Sequence, residues 1–434
     1  MTKKHYPIIL IAFTLLFLAE VAAVQTFFAS EVLAAADFHS RWYGARALLL
    51  EDRDPYSPEV TAEIEAIRDP NQLRSNSFSF AFPLHVIFTF WPLTYFSYDW
   101  AQSFWIVTLQ WVVFAITLLM MYMVGWKPSP LGIAGALLGS ILFYPAARTI
   151  LLGQFTLHVT LFLALSLFFL RRGQDGWAGF WLAATSIKPQ MVLLVGLWMV
   201  IWALFKRRFQ FLQGMLIGGA ALLFGSLIWL PRWPLSFVED IQRYAEVASG
   251  RNPMEVLGEV ILPGNPALVA AVVTGILLLL TLGAWYWGLG GSLAGIISTQ
   301  RRKGAETQRG INHSMVADDG ERGRFEWVLF WTMAVSMLVL FQTGSTNQAL
   351  LFIPFFFWFW QGLNSWGKLP SILIAVVLIV GPWILFLATI SGNYENPILL
   401  LPLPFFCLVV LGLKMWQGRR QGVERLSQSL ETAA

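Results

Sequence analysis

The residues best suited to group-transfer chemistry begin with a single acid near the N-terminus. Asp37 stands four residues before Arg41 in the segment 36–50. A carboxylate acts as a general base when it lies within hydrogen-bond reach of a hydroxyl. The same acid in the first turn of a helix would also be favoured by the helix dipole and by Arg41 at i+4, with no catalytic role. The residues alone leave both interpretations open.

Two further stretches place cations at the edges of apolar segments. Arg148, Gln154 and His158 lie around the start of one such segment, and Lys188 stands between two others, just before Pro189. A Lys or Arg at the centre of a membrane helix costs about 2.5–3.5 kcal/mol, so such residues usually have a partner or a wet cavity. Lys188 therefore either extends to the lipid headgroups or holds an anionic ligand at the outer edge of the membrane.

The remaining polar candidates are less specific. The segment 342–348, which contains Asn347, interrupts two apolar runs and could line an external cavity or only turn the chain. Asp54 and Asp37 could share a divalent cation through oxygen ligands, but no DxD pair marks such a site. One cysteine and five scattered histidines form no zinc pattern, and there is no phosphate-binding or dinucleotide glycine motif. We expect a reaction that uses neither metal nor cofactor.

Membrane helices must position these residues, because the composition excludes a soluble fold. Hydrophobic residues make up 57% of the 434 residues and charged residues only 12%, whereas soluble domains have about 25% charged residues. A soluble enzyme, a disordered chain and a coiled coil are excluded. The net charge of +4 comes from bases at the ends of apolar segments and does not indicate nucleic-acid binding. Each span needs about 20 apolar residues, which predicts an all-α polytopic membrane protein with about twelve transmembrane helices.

The distribution of bases orients these helices. Arg171–Arg172 and Lys206–Arg208 are predicted to be cytoplasmic, and the loops 30–80 and 231–260 external. For all clusters to lie on one side, one of the apolar runs 81–97 and 130–147 must enter the membrane without crossing it or have been divided wrongly. The segment 36–50 predicts an external helix lying on the membrane, with Phe38, Trp42 and Ala45 on its apolar face.

The same pattern divides the chain into four parts. Residues 1–210, with the external loop 30–80, form a first transmembrane module, which the family resemblance given below implies to be the catalytic one. Residues 211–298 add helices and the external loop 231–260. Residues 299–325 are polar and without periodicity, which predicts a cytoplasmic linker. Residues 326–434 form C-terminal helices and a short tail.

Taken together, the three stretches resemble the bacterial glycosyltransferase family 87 of the GT-C superfamily, which includes polyprenol-phosphate-mannose-dependent mannosyltransferases. The family pattern after the first span is matched at Asp37, Phe38, Tyr43, Ala45, Leu48, Asp54, Pro55 and Tyr56. An aromatic–Pro entry to the next span (Phe80 to Pro83) comes next. Gly153–Gln154, Arg171–Arg172 and Lys188–Pro189 then follow in the family's order. The C-terminal half matches poorly, because mannosyl-transferring members have a histidine near the external end of a late span, where this chain has Ser345 to Gln348.

The resemblance implies an inverting transfer of a mannose-like hexose from a polyprenyl-phosphate donor to a hydroxyl of a lipid or glycan acceptor. The reaction would take place on the external face of the bacterial inner membrane, among membrane lipids. Asp37 would be the base, and the donor phosphate would be bound by Lys188, Arg148, His158 and Gln154. Further expected substrate contacts are Arg41, Tyr43, Asp54, Tyr56 and Asn347. The rival interpretations are a transporter or flippase of lipid-linked glycans, and a scaffold without catalytic activity.

Overall fold

A computed structural model describes residues 6–29, 35–68, 79–247, 252–290, 319–339, 343–391 and 395–415. The regular elements within these ranges are all helices. Helix α1 (Tyr6–Val24) continues as a π-helical turn to Ala29, and α2 (Ala36–Glu51) and α3 (Pro58–Arg68) follow. The middle of the chain forms α4 (Tyr98–Val124), α5 (Pro130–Leu142), α6 (Tyr144–Leu152), α7 (Thr156–Arg171), α8 (Asp175–Ala184), α9 (Pro189–Phe205) and α10 (Phe209–Leu227). The remainder forms α11 (Trp233–Val247), α12 (Pro253–Ile261), α13 (Pro266–Gly288), α14 (Asp319–Val339), α15 (Phe352–Ser365), α16 (Lys368–Thr389) and α17 (Pro397–Met415, which begins as a 3-10 turn).

Six of the described helices are long and apolar enough to cross a membrane. They are the segment Leu10–Ala29 and the helices α4, α10, α13, α16 and α17. Helices α5 and α6 pass the same test together but meet at a bend of 62°, which makes a seventh candidate, and α7 and α9 are shorter apolar helices. The predicted all-helical, multi-pass membrane protein is confirmed in kind, whereas the count of about twelve crossings and the division into four parts stay predictions.

Both runs that the orientation argument singled out are broken in the structure. The segment 81–97 forms two 3-10 helices, Leu84–Thr89 and Trp91–Tyr95, rather than one long helix. Pro92 lies at the start of the second of these. Proline lacks the N–H that a continuous helix needs and disfavours the α conformation in the residue before it. The second run divides into α5 and α6 at Phe143.

The two predicted external loops contain helices, and the last residues of the predicted linker are helical. Helices α2 and α3 lie within 30–80, α11 lies within 231–260, and α12 lies there except for its last residue, Ile261. The linker residues 299–318 lie outside the described residues, and α14 begins at Asp319, so 319–325 belong to a helix. The final residues 416–434 also lie outside the described part of the chain.

The apolar face of α2 packs against protein, whereas the sequence predicted that it would lie on the membrane. The Phe38 ring stacks on the Trp105 ring of α4, with centroids 4.7 Å apart and planes at 11°. Trp42 is buried and donates its Nε1–H to the Leu93 carbonyl at 2.9 Å. A helical repeat of apolar residues shows which face is buried, but not whether lipid or protein covers it. Here protein covers it, so α2 is held firmly against the helix bundle.

Candidate functional site

The start of α2 is held against the end of α6 by the backbone of Ala35. This residue has φ 48, in the left-handed region, which costs energy for a residue with a Cβ. Its N–H donates to the Leu151 carbonyl at 3.0 Å, and its own carbonyl accepts from the Tyr98 hydroxyl at 2.9 Å. These bonds hold the strained residue in place, and Asp37 follows two positions later.

Gly153 allows the close approach that brings Gln154 beside Asp37. Gly153 ends α6 with φ +70, and a Cβ at this position would lie 2.7 Å from the Ala35 Cβ and 2.8 Å from the Phe38 Cβ. No side chain fits into that space, so glycine is required by both conformation and contact. The Gly-Gln pair therefore has a physical reason: the glycine lets the two helix ends touch, and the glutamine follows at the contact.

Gln154 joins Asp37 to Lys188. Its Nε2 donates to Asp37 Oδ2, and its Oε1 accepts from Lys188 Nζ at 2.9 Å. These two bonds determine which way the amide points, since the oxygen must face the ammonium and the nitrogen must face the carboxylate. Arg41, the predicted i+4 partner of the Asp37 carboxylate, instead donates to the Asp37 backbone carbonyl at 3.0 Å. The Arg41 guanidinium also lies 4.4 Å above the Phe82 ring.

Lys188 lies at the break between a short 3-10 helix, Thr185–Ile187, and α9. Pro189 excludes the α conformation from the residue before it, and Lys188 accordingly has φ −139. Its side chain points into the protein, where only 6% of the residue is exposed. The break therefore turns a lysine that belongs to no helix into the interior.

The ammonium of Lys188 is surrounded by neutral oxygens. Besides Gln154 Oε1, it donates to Thr156 Oγ1 at 3.0 Å and to Asn347 Oδ1 at 2.7 Å. Asn347 in turn donates to Thr343 Oγ1 at 3.1 Å. All three N–H donors are used, and no carboxylate is among these three acceptors. We call Lys188, Gln154, Thr156 and Asn347 the Lys188 cluster.

Two helices begin at the Lys188 cluster. Thr156 is the first residue of α7, and Lys188 is the residue that caps α9. The N-terminal end of a helix has a partial positive charge and unpaired N–H groups, so it favours an anion. The opposite ends of the same helices carry the bases Arg171–Arg172 and Lys206–Arg208. The cluster and these bases thus lie at opposite ends of two apolar helices.

Arg148 belongs to a second group of polar residues. Its Nε lies 3.8 Å from Glu395 Oε2, and its guanidinium lies 5.7 Å from the Phe386 ring centroid. Glu395 accepts from the Tyr144 hydroxyl at 2.9 Å and from the Ser345 hydroxyl at 2.8 Å. We call Arg148, Glu395, Tyr144 and Ser345 the Arg148 cluster. The 3-10 helix Ser345–Leu351 joins the two clusters, because it carries both Ser345 and Asn347.

The other predicted site residues make separate contacts. The His158 ring stacks on Trp105 with centroids 4.9 Å apart, and its buried Nδ1 has no hydrogen-bond partner within the described ranges. Tyr43 donates to Glu63 Oε2 at 2.9 Å, and burial, followed by this hydrogen bond, raises the pKa of Tyr43. Neither side chain hydrogen-bonds to the Lys188 cluster in the described structure.

Asp54 and Tyr56 lie between α2 and α3, in a segment that contacts α11. Asp54 accepts from the Tyr56 N–H at 2.8 Å and from the Ser236 hydroxyl at 2.9 Å. The buried Tyr56 hydroxyl donates to the Phe82 carbonyl at 2.7 Å. Asp240 also belongs to this contact, since it accepts from the Ala81 N–H at 2.9 Å, and burial raises the pKa of its carboxyl group. These contacts indicate a structural role.

The structure brings the predicted residues Asp37, Gln154, Lys188 and Asn347 together, and sequence reasoning missed three residues that contact members of the two clusters. Thr156 follows Gln154 by two positions at the start of an apolar helix, which is a signal that could have been used. Glu395, which faces Arg148, is a lone acid shortly before a late apolar segment. Thr343 has no distinguishing signal. In the described ranges, no group of three or more His, Cys, Asp or Glu residues is arranged to hold a metal ion.

Comparison with known families identifies one match. The sequence profile of glycosyltransferase family 87 matches residues 80–301, which is half of the chain. The matched part contains Arg148, Gln154 and Lys188, whereas Asp37 precedes it and Asn347 follows it. No curated protein and no solved structure matches the chain.

Proposed function

We propose that this chain, which belongs to glycosyltransferase family 87, transfers a mannose-like hexose from a polyprenyl-phosphate donor to an acceptor hydroxyl, with inversion at the anomeric carbon. Membership of the family makes the protein a glycosyltransferase, and its apolar helices make it a multi-pass membrane protein. The observation that carries the finer proposal is the link from the Asp37 carboxylate through Gln154 to the Lys188 ammonium.

Asp37 serves as the general base. One of its oxygens accepts from Gln154, and the other makes no hydrogen bond within the described ranges. The acceptor hydroxyl donates its proton to that oxygen as the hydroxyl oxygen bonds to the anomeric carbon. The bond between the anomeric carbon and the phosphate oxygen breaks in the same step, and its electron pair leaves with the phosphate. Displacement from the face opposite the leaving group inverts the configuration.

The leaving group explains why a single carboxylate is enough. A glycosidase needs a second carboxylic acid to protonate the departing oxygen, whereas a polyprenyl phosphate departs as a stable anion. That anion is stabilised by positive charge close to its oxygens. The stabilisation is largest in a site shielded from water. Lys188 and the N-terminal ends of α7 and α9 supply that charge. The proposed step uses no metal ion, so transfer should continue in the presence of EDTA.

The external face of the membrane is proposed for this reaction. Helices α7 and α9 both begin at the Lys188 cluster and end beside clusters of arginine and lysine. Such clusters favour the cytoplasmic side, which leaves the beginnings of the helices for the external side. Lipid-linked sugar, acceptor lipid or glycan, and surrounding lipids would all reach the site at that boundary.

The proposal is tested with purified protein in vesicles, a panel of radiolabelled polyprenyl-phosphate sugars and lipid or glycan acceptors. Asp37→Asn should lower the rate of transfer by about 10²–10⁴-fold, because general base catalysis contributes that much. Donor binding should be retained, because the amide keeps the shape of the carboxylate. The matched control is Asp52→Asn, since Asp52 is exposed at the other end of the same helix.

Each outcome decides between interpretations. Unimpaired transfer by Asp37→Asn would remove Asp37 as the base. Transfer only from sugar nucleotides would refute the proposal of a lipid-linked donor. A product with retained configuration would refute the one-step mechanism. Movement of the labelled donor across the vesicle membrane without any transfer would favour the flippase.

A further inference from the structure

An apolar groove runs between α16 and α17, away from the catalytic residues. Its volume is about 530 Å³, and it is lined by Leu373, Val377, Gly381, Leu385, Leu403 and Phe406 among other apolar residues. From Leu373 to Leu385 the groove follows one helix over twelve helical steps, which is about 18 Å at 1.5 Å per step. The groove thus has the length and the chemistry of a site for a hydrocarbon chain.

A glycine and a proline open this groove. A Cβ at Gly381 would meet nothing within 4 Å, so open space lies directly beside the backbone. Pro382 lies inside α16, where it cannot donate a hydrogen bond to Leu378 and interrupts the regular helix. Larger residues at these two positions would fill the space between the helices.

The outer end of the groove lies beside a cation. Leu385 lines the groove, and the next residue, Phe386, packs against the Tyr144 ring at 5.5 Å and lies 5.7 Å from the Arg148 guanidinium. Arg148 is separated from the nearest carboxylate oxygen, on Glu395, by 3.8 Å, and its buried Nε has no hydrogen-bond partner within the described ranges. A hydrocarbon chain in the groove would therefore end near a loosely paired positive charge.

We propose that this groove binds the hydrocarbon tail of the lipid-linked sugar donor, with Arg148 as the contact for its phosphate during entry. Charge complementarity supports this occupant, because an apolar groove with an arginine near one end, beyond Phe386, suits a long chain with an anionic head. Continuity supports it too, since Arg148 lies on α6, whose end leads through Gly153 to Gln154. This proposal rests on the proposed function, which supplies the class of donor.

The kinetic test fills the groove by a substitution and varies the length of the donor's hydrocarbon chain. Gly381→Leu places a larger side chain in the open space, and leucine favours a helix more than glycine does. We expect the KM for a long-chain polyprenyl-phosphate sugar to rise about tenfold, because a few apolar groups lose their contacts. The KM for a donor shortened to two isoprene units, and kcat with either donor, should stay unchanged. The matched control is Gly275→Leu in α13, where a Cβ also meets nothing within 4 Å.

A binding test separates the groove from the reaction. A polyprenyl phosphate with a photoreactive group at the end of its chain, but without sugar, is cross-linked to the protein in vesicles. We expect labelled peptides from 373–385 and 402–406, and less labelling in Gly381→Leu. Labelling of other parts of the protein overturns the proposal, because the chain then binds elsewhere. Labelling that excess phosphatidylglycerol abolishes also overturns it, because the groove then holds bulk lipid. Failure of the wild-type protein to transfer any sugar would refute the proposed function, whereas the cross-linking result would still decide the groove.

Discussion

Two polar clusters share the 3-10 helix Ser345–Leu351 and differ in what surrounds their cation. In the Lys188 cluster the ammonium is bonded to three neutral oxygens, and the nearest carboxylate in that hydrogen-bonded chain, Asp37, is reached through an amide. In the Arg148 cluster the guanidinium faces Glu395 directly. A cation paired with a carboxylate has its charge balanced, whereas a buried cation among neutral groups favours an anionic ligand. We therefore propose that the first cluster binds the donor phosphate and that the second mainly supports the surrounding structure.

The largest difference is expected when each cation is removed in turn. Lys188→Met should lower kcat/KM by about 10²–10³-fold, the loss typical for one group that stabilises developing charge. Arg148→Met should lower it only about tenfold, because its charge is already partly balanced and its contact belongs to entry of the donor. Rates of transfer at subsaturating donor concentrations measure kcat/KM for both variants.

Lys127 is exposed in the short segment between α4 and α5, so Lys127→Met serves as the control and should leave transfer unchanged. Thermal unfolding of each variant shows whether the protein is still folded. Equal losses for Lys188→Met and Arg148→Met would contradict the division of roles between the clusters.

A smaller effect is expected when the Lys188 cluster is made to resemble the Arg148 cluster. Asn347→Asp places a carboxylate where Asn347 Oδ1 lies 2.7 Å from Lys188 Nζ. The side chain hardly changes shape, but the charge of the lysine is balanced before the donor arrives. The KM for the donor should rise about 10–100-fold, which corresponds to the loss of one charge-assisted hydrogen bond. Steady-state kinetics at varied donor concentration measure it.

Asn364→Asp is the matched control, since it makes the same change on the exposed end of α15. It should leave the KM within experimental error. An Asn347→Asp protein that binds donor as well as the wild type would mean that Lys188 does not meet the phosphate.

The sequence predicted three of the four members of the Lys188 cluster, all but Thr156, and it predicted them better than their arrangement. Gln154 and Lys188 stand out because polar residues are rare in apolar segments, and that rarity is visible without a structure. The bond between them was not visible, because it depends on the contact of two helix ends that Gly153 permits. Asn347 lies beyond the matched part of the chain, and its contact with Lys188 depends on the fold.

The fold was predictable in class and less so in detail. Composition predicts membrane helices directly, since too few charged residues are present to cover a soluble surface. The broken segment 81–97 could have been foreseen from Pro92, because proline interrupts a helix wherever it needs an N–H. The environment of α2 could not, since Phe38 and Trp42 would occupy the same face of the helix against lipid or against α4.

The smallest effect is expected at Glu395, where a substitution removes the negative charge that faces the Arg148 guanidinium. Glu395→Gln keeps an oxygen that can accept from one of the two hydroxyls, and its NH2 group can donate to the other, but the charge facing Arg148 is removed. Both side chains are about one-fifth exposed, and ion pairs with solvent access contribute about 0–1 kcal/mol, so the protein should unfold at nearly the same temperature. The freed arginine should bind the donor phosphate slightly better, which lowers the KM by less than about threefold. Loss of transfer in Glu395→Gln, with normal unfolding, would show instead that the charge of Glu395 takes part in the reaction.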